Sequence, residues 1–167
     1  EKLISNLPHS SVLAFGELST KIAGGGIKFC TSNTLDIAPQ FSIGPSVFVE
    51  QLNYSKYLEE KNVKGAHITL LSPGINAKYH LSNSCYVQVD LTLIAGIETR
   101  LRITPRPSGR MEDAPCALSG LQVEQSFFAR TNGKKGMLVG VSIFERIIDS
   151  DIYHTDFGVK LYAGLGW

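Results

Sequence analysis

What the chain lacks narrows its roles first. It has no run of about 18 apolar residues, so it encodes no helix able to cross a bilayer. Charged residues make up 19% of its 167 positions, below the roughly 25% of an average globular protein. Basic and acidic residues nearly cancel, 16 against 15, and that balance offers no excess for nucleic acid or an anionic surface. Only three cysteines occur, Cys30, Cys85 and Cys116. None belongs to a Cys-x-x-Cys element, and an odd number cannot pair completely. Free buried thiols in a reducing compartment are the expectation. No Gly-x-Ser-x-Gly elbow is present. The Ala23-Gly24-Gly25-Gly26 run lacks the Gly-Lys-Ser/Thr ending of a phosphate loop and reads as a turn or bulge. His9, His67, His80 and His154 stand at no metal-ligand spacing. Asp149, Asp151 and Asp156 lack the glycine and closing glutamate of a calcium loop. The chain is therefore expected to be no enzyme, with no metal site and no cofactor.

What the chain does have is alternation. Val87, Val89, Leu91 and Leu93 interleave with Gln88, Asp90 and Thr92, the period of a strand with one apolar face. Ala95-Gly96-Ile97-Glu98 reads as a hairpin loop, after which Leu101 and Ile103 alternate with Arg100 and Arg102. The pattern recurs over Leu121–Phe127, Val139–Ile143 and Phe157–Ala163, with an Asn132-Gly133 turn between the first two. Val12–Leu18, Ile27–Phe29, Phe41–Val49 (broken by Gly44-Pro45) and Ala66–Leu71 are weaker strand signals. Residues 50–62 are the one helix candidate, and 105–115 form a Pro-rich loop. These segments predict an all-β antiparallel sandwich or jelly roll of about eight to ten short strands, with at most one short helix.

Two stretches carry a resemblance. Ser72-Pro73-Gly74-Ile75, Tyr79-His80-Leu81-Ser82 and the Val87–Leu93 strand resemble the Pro-Gly-x-Tyr turn and central strand of trimeric jelly-roll heads, the C1q-like and TNF-like domains and viral or phage fibre tips. Phe157-Gly158-Val159-Lys160-Leu161-Tyr162 is similar to their last strand, and Val12–Glu17 to their first. The resemblance implies a homotrimeric head, residues 1–167, carried on a stalk and binding a host receptor or glycan at a virion surface or in an extracellular assembly, with no membrane insertion and no nucleic acid. A start at Glu1 rather than Met fits a domain excised from a longer protein.

Two residue sets are candidates. Arg100, Arg102, Arg106 and Arg110 cluster in one strand and the loop after it; arginine forks suit carboxylates such as sialic acid, while a solvated, edge-protecting face is the plainer account. Phe157, Leu161, Tyr162 and Trp167 are candidates for a subunit interface, because a terminal indole is rarely left in water. A viral coat or matrix protein and a β-sandwich hydrolase are rival roles. An outer-membrane barrel also ends in an aromatic residue, but it needs strands of about 9 to 11 residues, and the alternating runs look shorter than that.

Overall fold

The computed structural model describes residues 9–20, 22–54, 63–82, 84–102, 116–131, 137–149 and 155–167, with the side chains of 54, 63–66 and 100–102 outside that description. Among these residues there is no helix. The strands are β1 (Ser10–Ser19), β2 (Ile22–Thr31), the two-residue β3 (Asn33–Thr34), β4 (Phe41–Tyr54), β5 (Val63–His80), β6 (Cys85–Arg102), β7 (Cys116–Arg130), β8 (Leu138–Ile148) and β9 (Thr155–Gly166). Each wall strand pairs antiparallel with its neighbour in sequence, and β9 returns to pair with β1. β2 also pairs with β4 across β3, which lies against β4 alone. Eight strands thus close into one barrel, and no edge is left among them.

The stagger of this barrel can be followed through its hydrogen-bonded partners. From Ser11 the level passes through Cys30, Ser46, Gly74, Thr92, Gln122, Arg146 and Asp156. It returns to β1 two positions beyond Ser19, the partner of Gly158. An offset of this size goes with strands tilted by about 40° to the axis.

The structure corrects four expectations. The fold is a closed barrel and not a sandwich or jelly roll, so the likeness to trimeric jelly-roll heads does not hold. The strands are not short: the wall strands run from 10 residues in β1 and β2 to 18 in β5 and β6. Several supposed turns lie within strands. Gly96 is an interior position of β6, and the alternation passes straight through it, with Leu93, Ala95 and Ile97 on one side and Thr92, Ile94 and Glu98 on the other. The triple glycine lies in β2, where a side chain on Gly26 would overlap the Val49 carbonyl oxygen of β4. Pro73, which has no N–H to donate, sits where the β5–β6 ladder is interrupted between Leu70↔Gly96 and Gly74↔Thr92, while its pairing with Val47 continues. Of the helix expected over 50–62, residues 50–54 are strand and 55–62 lie outside the described residues.

Sequence alternation gives the right phase, and the structure turns the opposite face inward. Val89, Leu91 and Leu93 of β6, Leu121, Val123 and Phe127 of β7, Val139, Val141 and Ile143 of β8, and Phe157, Val159 and Leu161 of β9 all point out of the barrel and are exposed. Their polar neighbours Gln88, Asp90, Glu124, Arg146 and Lys160 point in and are buried. A water-soluble protein would not leave so continuous an apolar surface in contact with solvent.

Candidate functional site

The lumen is filled in three tiers. Toward the end opposite the termini, Ile22, Leu52, Ile68, Leu70, Ile94, Leu118 and Ile148 pack together. Toward the terminal end, Leu13, Phe15, Phe48, Tyr86, Phe128, Leu138 and Tyr162 form an aromatic tier, in which Phe15 meets Phe48 edge-on at 5.8 Å and Tyr86 stacks on Phe128 at 5.2 Å. Between them lies a charged tier drawn from seven strands.

Lys28 of β2 is fully buried, and its Nζ lies 2.6 Å from Asp90 Oδ2 on β6 and 4.0 Å from Glu124 Oε1 on β7. Lys160 of β9 bridges Glu124 Oε2 at 3.3 Å and Glu50 Oε1 of β4 at 3.4 Å. Arg146 of β8 reaches Glu17 Oε2 of β1 at 2.9 Å and Glu50 Oε2 at 3.5 Å, and its Nε donates to Gln122 Oε1 at 2.9 Å. Neutral donors complete the shell: Gln88 donates to Asp90 at 2.9 Å, Ser126 to Glu124 at 3.3 Å, and the Tyr162 hydroxyl to Glu124. The cations also lie over aromatic faces, Lys160 4.3 Å from the Phe48 centroid and Arg146 4.6 Å from that of Phe144. Buried charges are tolerated only when paired and hydrogen-bonded in this way. An eight-stranded barrel is just wide enough for such side chains to fill it. The tier cross-links the wall rather than lining a channel.

The rim opposite the termini carries the longest connection, residues 103–115 between β6 and β7, together with 55–62 and 150–154. Above the apolar surface the outward residues turn polar, with Gln51, Asn53, Thr69, His67 and Ser119. His67 Nδ1 and Asn53 Oδ1 lie 2.5 Å apart. Arg100 and Arg102 fall at the end of β6 before that rim, while Arg106 and Arg110 lie outside the described residues. Asp156, one of the acidic residues weighed for calcium, faces inward and accepts from Thr20 Oγ1 at 3.0 Å. His80 is at the opposite rim, near Ser42 Oγ at 2.9 Å. Among the described residues no cluster of metal-ligating side chains forms.

The proposed subunit-interface set is split by the wall. Phe157, Leu161 and Trp167 point outward, with Leu161 66% and Trp167 69% exposed, whereas Tyr162 faces the lumen. β9 is hydrogen-bonded on both sides, to β1 and to β8. Cys30 is buried in the lumen, but Cys85 is only half-buried and Cys116 is exposed.

A closed barrel with an apolar outer belt and a charged, filled interior is the architecture of a membrane-spanning β-barrel. The expectations of a soluble trimeric head, of a virion-surface location and of no membrane insertion are overturned with it. Every wall strand has at least the nine to eleven residues, roughly, that a tilted strand needs to cross the hydrocarbon layer. Among solved structures the chain is similar to Ail, the attachment invasion locus protein of Yersinia pestis, in its complex with the heparin analogue sucrose octasulfate. The TM-score is 0.56 at 10% identity, and the match covers 95% of this chain and 98% of that one. No family profile and no curated protein sequence matches.

Proposed function

We propose that the chain is a non-enzymatic outer-membrane barrel that holds its termini on the inner side and presents the opposite rim to the outside, where it attaches to acidic or sulfated glycans. The observation that carries this reading is the inverted polarity of the wall: ionised residues such as Lys28 and Lys160 are completely buried while leucine, valine and phenylalanine cover the exterior. Only a lipid surround makes that distribution favourable. The orientation follows from the connections, since such barrels keep short turns inside and long loops outside, and the thirteen-residue 103–115 connection lies opposite the termini.

The attachment part rests on chemistry and likeness together. Arg100, Arg102, Arg106 and Arg110 are grouped at the base and within the longest outer connection, and guanidinium forks pair well with carboxylate and sulfate oxygens. The similar barrel was solved with a sulfated heparin analogue. The test uses the full chain refolded in detergent or liposomes and a heparin surface. Binding should weaken steeply with salt and fall at least tenfold when all four arginines become alanine, while the folded barrel keeps its heat-modifiable mobility on gels. Equal binding by the quadruple variant would refute the arginine site; failure to insert into liposomes would refute the membrane reading.

A further inference from the structure

The terminal half of the lumen holds a second polar group that the charged tier does not absorb. Lys78 of β5 is 1% exposed, and its Nζ has no hydrogen-bond partner. No ion pair reaches it among the described residues. Asp90, the nearest inward carboxylate along this side of the wall, is already held by Lys28 at 2.6 Å and by Gln88 at 2.9 Å. Two more buried polar atoms without partners belong to neighbours of Lys78: the Tyr86 hydroxyl on β6, in a residue 1% exposed, and His80 Nδ1 on β5. They lie together. Lys78 Nζ is 5.3 Å from the Tyr86 ring centroid, and the rings of His80 and Tyr86 are 6.2 Å apart.

All three atoms can donate. An ammonium has only protons to offer and a phenol has one, and His80 Nδ1 donates in the tautomer whose Nε2 accepts from the Ser42 hydroxyl, 2.9 Å away. Asp90 is the carboxylate that acts on Lys78, and Lys28 shares it. Among the described residues the other inward positions at this end of the lumen, Ser11, Cys30, Ser42, Gln88 and Phe128, bring no carboxylate. One carboxylate between two buried ammonium groups leaves a net positive charge, and buried charge is strongly unfavourable unless it is answered, so something that accepts hydrogen bonds and carries negative charge belongs there.

We propose that Lys78, Tyr86 and His80 form a binding site for a small inorganic anion of halide size at the inner mouth of the lumen. Its charge answers Lys78. The site is independent of the loops and of glycan binding.

Bromide is the probe. Crystals of the detergent-solubilised full chain grown in sodium bromide should show an anomalous peak within about 3.5 Å of Lys78 Nζ and the Tyr86 hydroxyl, a normal contact for a large anion. In solution, replacing gluconate by bromide at fixed ionic strength should raise the melting temperature of the folded barrel. Tyr86→Phe, which keeps the ring packing, should cut that rise by at least half, and Lys78→Met should abolish both the rise and the peak. If Lys78→Met does not fold, Tyr86→Phe alone decides. Absence of a peak, or a peak and melting shift unchanged in Tyr86→Phe, would overturn the site and leave water as the occupant, whatever the outcome of the heparin experiment.

Discussion

At the scale of single residues, the lumen obeys the arithmetic of buried charge. Glu124 faces Lys28 and Lys160 and accepts from Ser126, Gln122 and Tyr162. Glu124→Ala would leave two buried ammonium groups short of a partner. Such a loss typically costs about 3–5 kcal/mol, and urea unfolding of the liposome-inserted protein should show a fall of that size. Removing both members of one pair is different. Lys28→Met combined with Asp90→Leu should cost far less than Lys28→Met alone, because no uncompensated charge remains; a double-mutant cycle on the same unfolding signal measures it. None of these residues was recognisable from the sequence as interior. Asp90, Glu124 and Lys160 sit on the polar phase of clean alternating strands, and in a protein surrounded by water that phase would be the outer one.

At the scale of the strand, the outer face sets the constraint. Leu161 lies among Val159, Ala163 and Leu165 on β9 and beside Val141 of β8 and Gly16 of β1, well inside the apolar belt. Leu161→Arg should destabilise the inserted barrel by about 2–4 kcal/mol, the cost of a guanidinium near the bilayer midplane, while Thr69→Arg, toward the loop-bearing rim, should cost no more than about 1 kcal/mol. Reversible urea titration in phospholipid vesicles separates the two. The strands were legible in type and phase but not in length. Gly96 and Pro73-Gly74 carry the composition of turns, yet here glycine serves close approach between strands: a side chain on Gly74 would come within 2.6 Å of the Leu91 carbonyl oxygen. Cut at these residues, β5 and β6 look too short to span a membrane, which ranks an outer-membrane barrel below the jelly roll as an alternative; the closed barrel reverses that order.

At the scale of the whole molecule, closure and inversion belong together. Once β1 and β9 pair, the chain has one inside and one outside, and the register places the charged residues of β1, β2, β4 and β6 to β9 in the smaller volume, between two apolar tiers. Sequence periodicity contains no information about which set that is. The choice depends on the surrounding medium, and the cue that was present was the aromatic residue closing the last strand, Trp167, with Phe41 and Tyr79 outward near the same end, as in the aromatic girdle of a membrane barrel. Arg100, Arg102, Arg106 and Arg110 are legible in the sequence as a cluster of like charge, because charge reads the same way in any fold. The most direct test of the inverted wall is spin-label accessibility along β9. In a background with Cys30, Cys85 and Cys116 changed to serine, single cysteines at 159, 160, 161 and 162 are labelled in the liposome-inserted protein, and collisions with dissolved oxygen, which concentrates in lipid, are compared with collisions with a water-soluble nickel chelate. High oxygen accessibility at 159 and 161 with low values for both relaxants at 160 and 162 is the outcome required; nickel accessibility at 159 and 161, or oxygen accessibility at 160 and 162, would contradict it.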